Sequence, residues 1–221
     1  MKIGIVGSGN MGSGLARRIT LAGHEVIVTA RDLNGAEKTA KQIGPRVKVV
    51  PPAEVAKGVD ILIAATPAGE QVNALKSCGD LKGKIVIDIA NPLKPDMSGL
   101  TVGLTTSFAE ELAKAFPGVK IVKAFNTVFA QVFTEGPDFG KGIRASVFYC
   151  SDDETARKTV HKLIESMGFD AIDAGPLANA RYLEPMGMLN IWFGYMGKRG
   201  TGIVFNLVKR GQAMAKETRA A

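Results

Sequence analysis

The chain has 221 residues, 46% hydrophobic and 22% charged, with a formal net charge of +7 at pH 7. This length supports one full core, or a core with a small appendage, and the apolar content excludes disorder as the default. No apolar run approaches the roughly 18–20 residues that span a bilayer, so no membrane association is expected.

The stretch after Lys2 is too short for a secretory leader, being interrupted from Gly7 onward. Cys78 and Cys150 form neither a CxxC nor a metal-binding spacing, and His24 and His161 have no Cys or carboxylate cluster around them. Two buried thiols in the reducing cytoplasm, and no metal, are therefore expected. Basic residues are spread along the chain, with a modest concentration in Lys198, Arg199, Lys209, Arg210, Lys216 and Arg219. Without a basic stripe interleaved with aromatics, nucleic acid is not an expected partner. A solvated surface, or a funnel for polyanionic ligands, accounts for the charge.

The first strand, Lys2-Ile3-Gly4-Ile5-Val6, opens directly into Gly7-Ser8-Gly9-Asn10-Met11-Gly12. A helix follows, closing at Gly23, and His24-Glu25-Val26-Ile27-Val28-Thr29 is a second strand. A lone GxGxxG is weak, but this one follows a strand, starts a helix and sits within one βαβ unit, where a dinucleotide site needs it. The expected roles are a tight turn at Gly7, close approach to a pyrophosphate at Gly9, and close helix packing at Gly12. The free amides of the helix start then hold the phosphates.

The second strand ends Thr29-Ala30-Arg31. A carboxylate here would select NAD; Arg31 instead meets a 2′-phosphate with a forked, charge-assisted pair, and Thr29 adds a hydroxyl. Asp32 dissents, since a turn shifted by one residue would let it serve NAD. NADP is the expected cofactor.

The alternation continues. Val47-Lys48-Val49-Val50 is a short strand, and Pro51-Pro52 starts a helix reaching Lys57. The apolar run 59–66 reads as a parallel strand covered on both faces and ends at Thr66-Pro67, over the crevice at the carboxyl end of the sheet. The strand Lys84-Ile85-Val86-Ile87-Asp88-Ile89 ends at Ala90-Asn91-Pro92 on the same edge. Ser107 caps a helix with Glu110 and Glu111 in its early turns. Lys120-Ile121-Val122-Lys123-Ala124-Phe125 delivers Asn126-Thr127, and a further strand ends at Cys150, with Ser151 or Asp152 capping the next helix. Ala171-Ile172-Asp173-Ala174 closes a doubly wound, mostly parallel α/β sheet of about seven or eight strands, residues 1–176.

The segment 177–221 differs. It reads as a short helical appendage, helical to Glu184, broken or kinked at Pro185, then apolar through Trp192, Phe193 and Tyr195. Apolar surface across 186–207 wants the crevice or a second subunit, and a homodimer is expected.

The chain resembles the NADP oxidoreductases that use the deazaflavin coenzyme F-420, and its N-terminal half resembles the reductase domain of the STEAP metalloreductases. The carrying residues are the Gly7–Gly12 motif, Ala22-Gly23-His24-Glu25-Val26 with Arg31, and Ala90-Asn91-Pro92. More specific are Val122-Lys123-Ala124-Phe125-Asn126-Thr127, and Gly175-Pro176-Leu177-Ala178-Asn179-Ala180-Arg181 with Leu183-Glu184-Pro185. The resemblance implies a Rossmann fold and a hydride shuttle between NADPH and a ring-type acceptor (coenzyme F-420, a flavin or a quinone-like ring) in a cleft closed by the C-terminal helices.

What is missing fits that chemistry. A hydroxy-acid dehydrogenase needs a positioned Lys or His to move a proton, and its relatives usually carry it on a helical domain of about a hundred residues. Hydride transfer between stacked rings needs mainly alignment and exclusion of water, so no catalytic side chain is expected. Cofactor contacts are expected from Gly7, Ser8, Gly9, Asn10, Met11, Gly12, Thr29, Arg31, Thr66, Pro67, Ala90 and Asn91. The acceptor should meet Asn91, Pro92, Asn126, Thr127, Leu177 and Trp192, with Met196 in the wall. A small β-hydroxyacid or imine reductase and a non-catalytic NADPH sensor are the alternatives.

Overall fold

Strands form where apolar residues run without interruption, and eight such runs share one sheet. They are β1 (Lys2–Val6), β2 (Glu25–Thr29), β3 (Val47–Val49), β4 (Ile61–Ala64), β5 (Ile85–Asp88), β6 (Lys120–Ala124), β7 (Ser146–Cys150) and β8 (Asp170–Asp173). The computed structural model describes residues 1–210, so Lys216 and Arg219 lie outside the described residues. The spatial order is β3-β2-β1-β4-β5-β6-β7-β8. Every neighbouring pair is parallel except β6 and β7, which run antiparallel with Lys123 opposite Cys150. The chain reverses its direction of travel across the sheet between β1 and β4, the topological switch point where α/β sheets open a crevice beyond their carboxyl ends.

The helices α1 (Asn10–Leu21), α2 (Leu33–Ile43), α5 (Ala130–Glu135) and α6 (Glu154–Ser166) cover one face. Leu15, Ile19, Phe133, Val160 and Leu163 meet Ile3, Ile5, Ile61, Ile63 and Val122 in that core. On the opposite face α3 (Ala68–Lys76), α4 (Phe108–Ala115) and α7 (Ala180–Ile191) bury Leu75, Leu112 and Leu183 against Leu62, Val86 and Ile121. Consecutive strand residues thus serve opposite cores, which is why β4 is apolar at every position.

Helix starts follow local chemistry. Ser107 caps α4 by accepting from the Glu110 amide, and Asp32 caps α2 by accepting from Gly35 at 3.1 Å. For α6 the cap is Asp153, which accepts from Ala156 at 2.7 Å, and not the expected Ser151 or Asp152. The Ser151 hydroxyl donates to the Ile121 carbonyl, while Asp152 accepts from the Leu177 amide. After Pro51 the chain makes only a 3₁₀ turn, Pro52–Glu54, in place of the expected helix to Lys57.

The C-terminal stretch also departs from expectation. A 3₁₀ turn, Leu177–Asn179, leads into α7, and α7 continues past Pro185 without the break that proline allows. Proline removes one helical donor and costs about 3 kcal/mol in a helix interior, but tertiary contacts hold α7 beside it. The Leu183 carbonyl accepts from Asn126 Nδ2 at 2.7 Å, and the Glu184 carboxylate is bonded inside the protein. A π-helical turn, Trp192–Met196, follows, closed by the Gly197 amide donating to the Trp192 carbonyl at 2.7 Å. Residues 203–207 then cross back to β7, where Asn206 bonds the Ser146 amide and the Arg144 carbonyl. Ile203 and Val204 pack on the main core, so part of the apolar stretch expected to need a second subunit is covered by its own chain.

Candidate active site

At the switch point two hollows meet. A groove of about 800 Å³ passes over Gly7, Ser8 and Gly9, flanked by Thr29 and Arg31 on one side and Thr66, Pro67 and Glu70 on the other. A second hollow, of about 480 Å³, is bordered by Asn10, Met11, Ala90, Asn91 and Asn126, with Phe129, Ile191 and Tyr195 opposite. Gly9, Ala65, Thr66 and Pro67 belong to both, so the two are one continuous cleft.

The turn at the head of the groove depends on close backbone approach. Gly7 has φ +113°, and a Cβ there would lie 2.4 Å from the Ala65 carbonyl oxygen. A Cβ on Gly12 would lie 2.0 Å from the Gly7 carbonyl oxygen, which fixes α1 against the turn behind the groove. A Cβ on Gly9 would meet nothing within 4 Å, because that residue faces open space. Helix α1 has no side-chain cap and no acidic residue in its first turn. Its first amides and the positive end of its dipole therefore face the groove unopposed, the arrangement that binds phosphates.

Arg31 is paired with the Glu70 carboxylate across the groove, both side chains largely exposed. Asp32, the residue that argued for NAD, is committed to the cap of α2, although it also borders the groove. The Thr29 and Thr66 hydroxyls are buried without a hydrogen-bond partner in the protein.

The second hollow is floored by a pair of asparagines from neighbouring strand ends. Asn91 Nδ2 donates to the Asn126 carbonyl at 2.9 Å, and Asn126 Nδ2 donates to Asn91 Oδ1 at 2.9 Å. Asn126 Nδ2 also donates to the Leu183 carbonyl, which fixes the amide orientation and leaves its Oδ1 buried without a donor. Phe125, just before it, has φ +63°, a left-handed conformation that costs of order 1–3 kcal/mol and turns the chain into the cleft. Helix α7 closes over the pair at Gly187, where a Cβ would fall 2.5 Å from Asn91 Oδ1.

Behind this floor lies a cluster that the sequence reading did not single out. Lys123 is completely buried, and its Nζ lies 2.8 Å from Asp88 Oδ2 and 2.9 Å from Glu184 Oε1. The third proton of the ammonium goes to the Ala90 carbonyl. Asp88 Oδ1 accepts from Gln71 Nε2 at 2.8 Å and from the Ala90 amide at 2.9 Å. Glu184 takes the first amides of α4, Phe108 at 2.9 Å and Ala109 at 3.1 Å. Burial alone would lower the Lys123 pKa, but Asp88 and then Glu184 outweigh it and hold the ammonium above the ordinary lysine range. The signal was present in the sequence: charged residues at the ends of two otherwise apolar strands, which cannot be buried unpaired.

Four of the expected acceptor residues stand outside the hollow. The Pro92 carbonyl is taken by Thr101, and Leu177 is packed in the core on the α4 face. Thr127 is buried, its carbonyl accepting from Asn190 Nδ2 at 3.1 Å. Trp192 is half exposed and stacks edge-on against Phe193, and Met196 is likewise turned outward. The positions that face the hollow, Gly187, Ile191 and Tyr195, are four residues apart and share one face of the helical stretch, so Tyr195 stands in the wall expected of Trp192. Leu93, Met97, Phe129, Gly187 and Asn190 also line it, none of them among the expected site residues. Among the described residues no group of three His, Cys, Asp or Glu side chains is placed to hold a metal, and no helix is long and apolar enough to cross a membrane.

Residues 2–92 match the model of the family described as NADP oxidoreductase, coenzyme F420-dependent. The chain is 32% identical over 202 residues to the F420-dependent NADP reductase of Methanothermobacter marburgensis, covering 83% of this chain and 88% of that protein. It is 33% identical over 194 residues to Metalloreductase STEAP3 of Rattus norvegicus, covering 86% of this chain but only 38% of that longer protein. A crystal structure from Arthrobacter sp. described as an F420-dependent NADP reductase superposes with a TM-score of 0.82 at 31% identity, covering 95% of this chain and all of that one.

Proposed function

The chain belongs to the family of coenzyme F420-dependent NADP oxidoreductases, and on that premise we propose that it passes a hydride between NADPH in the groove and a ring-type acceptor in the adjoining hollow, with coenzyme F-420 the leading candidate. The observation that carries this reading is the continuity of the cleft: a phosphate-binding helix end at one side and an apolar, asparagine-floored hollow at the other, joined at Gly9 and Thr66.

NADPH supplies the hydride when bound. Gly7, Ser8, Gly9, Asn10 and Met11 would hold its pyrophosphate through the free backbone amides at the start of α1. Arg31, now paired with Glu70, would meet the 2′-phosphate with its planar, charge-assisted fork. Thr66, Pro67, Ala90 and Asn91, which line the adjoining hollow, would hold the second ribose and nicotinamide. The buried Oδ1 of Asn126 offers an acceptor at the cleft floor, and Met11, Phe129, Ile191 and Tyr195 keep water from it. No side chain need act as acid or base.

Stopped-flow mixing with NADPH and a panel of coenzyme F-420, a flavin, a quinone, an oxo acid and a cyclic imine tests this. Oxidation of NADPH by a ring acceptor is expected. Preference for the oxo acid or imine would replace this reading with a reductase of the alternative kind, and tight binding with no oxidation would make the protein a sensor.

The reading extends to a cytoplasmic enzyme, supported by two buried, unbridged cysteines, Cys78 and Cys150. It extends also to a homodimer through Leu189, Trp192, Tyr195 and Met196, large apolar side chains left exposed on one C-terminal stretch. A stable monomer in sedimentation would remove the dimer.

A further inference from the structure

The geometry points to Lys123, Asp88 and Glu184 as positioning residues for the hydride-transfer floor, an inference that rests on the proposed function of the cleft. The cluster holds the Ala90 peptide from both ends. Its amide donates to Asp88 Oδ1 at 2.9 Å and its carbonyl accepts from Lys123 Nζ. Ala90 and the next residue, Asn91, border the acceptor hollow, and Asn91 in turn holds Asn126. The ammonium therefore fixes the plane from which the asparagine pair is hung.

The same cation reaches the opposite wall. Glu184 lies on α7, whose next turn carries Gly187 over the asparagine pair and whose Asn190 bonds the Thr127 carbonyl. Three separate parts of the hollow, β5 with its following loop, β6 and α7, thus converge on one buried nitrogen. All three protons of that nitrogen are used, and both carboxylates are fully occupied by donors from α3, α4 and the Ala90 amide. As a source of stability such a cluster is poor, because desolvation consumes most of the Coulomb gain and apolar residues of equal volume do as well. As a fixed reference for two walls of a site it is well suited, since an ammonium with three defined acceptors has one arrangement, while packed side chains slide.

The test separates placement from folding. Lys123→Met alone strands two carboxylates in the core, so the informative protein is Lys123→Met with Glu184→Gln. That pair removes the cation and one charge while leaving an amide oxygen for one of the two α4 amides that Glu184 accepts from. With the acceptor that the wild type reduces, single-turnover hydride transfer is expected to fall by roughly 10- to 100-fold, the penalty of misplacing a reacting group by about 1 Å. The Kd for NADPH should stay within about threefold, because the phosphate-binding turn is untouched. The side-chain amide NMR signals of Asn91 and Asn126 should shift or broaden in the same protein. A folded double variant with wild-type single-turnover rate and unmoved asparagine signals overturns the inference, as does an equal loss of NADPH affinity and rate. If the wild type oxidises NADPH with none of the acceptors, the functional reading fails, and the asparagine signals alone decide the positioning role: unmoved signals overturn it.

Discussion

The two halves of the cleft are built in opposite ways. The groove over β1, α1 and β2 is made of backbone: a left-handed glycine, an uncapped helix start and amides that point at open space. Its phosphate-facing turn and the strand end beside it come from the first 33 residues, with only the far bank supplied by Thr66, Pro67 and Glu70. The second hollow draws on side chains from the loops after β5 and β6 and from α7 and the turn beyond it, with Asn91, Asn126 and Ile191 spread over 100 residues and the asparagines held by amide–amide bonds beside a buried ammonium. A phosphate site can be local because it needs only free N–H groups in one turn. A surface that is to align two rings, the role proposed for this hollow, must be rigid in three dimensions, and the hollow is assembled from elements that meet only after folding.

The widest contrast should come from Lys123→Met. Breaking one partner of a buried ion cluster leaves uncompensated charge, costing about 3–5 kcal/mol, and denaturant unfolding should show it. The double variant with Glu184→Gln should recover part of that loss, since it removes one of the two stranded carboxylates and leaves Asp88 buried without its ammonium. Failure to recover would mean that the second half of the cleft depends on the cluster for folding as well as for alignment.

The backbone half should break at Gly12→Ala. The new methyl meets a main-chain carbonyl 2.0 Å away that cannot move without the Gly7 turn, so a loss of about 1–3 kcal/mol is expected. NADPH affinity, followed by fluorescence titration, should fall with it, whereas the asparagine signals of the other half should hold.

Arg31→Ala should change selectivity and little else. Loss of a charge-assisted contact to the 2′-phosphate is expected to remove roughly 1.5–3 kcal/mol of preference for NADPH over NADH. A wild type that binds both equally would overturn the assignment of Arg31. Stability should not change, because the Arg31–Glu70 pair is exposed to solvent.

Alkaline titration distinguishes the halves more gently. The folded pKa of Lys123 is raised above its unfolded value. Its contribution to stability is therefore complete below about pH 10.4, the unfolded value, and lost only as pH rises through the higher folded pKa. Urea midpoints of the wild type should hold to about pH 10 and fall above it, a component missing from the double variant. The smallest effect is on the thiols. Burial pushes Cys78 up to about 11 and Cys150 up to about 12, so neither should react with iodoacetamide at pH 8 until the protein unfolds.

Composition and local spacing determined a great deal. Alternating apolar runs and helix formers fix a doubly wound sheet, because a strand covered on both faces must be apolar at every position. The spacing of Gly7, Gly9 and Gly12 after β1 likewise specifies a tight turn into an uncapped helix, because those constraints are local to one βαβ unit. Tertiary structure alone decided that α7 continues through Pro185, since the bonds from Asn126 and to Glu184 outweigh a local penalty visible in the sequence. It alone decided that Tyr195, in line with Gly187 and Ile191, stands in the wall and Trp192 outside, because a run with aromatics at 192, 193 and 195 does not say which helix face meets the cleft. Above all it decided that Asp88, Lys123 and Glu184 meet. Each is an isolated charge in the sequence, and only long-range packing supplies the partners that make burying it possible.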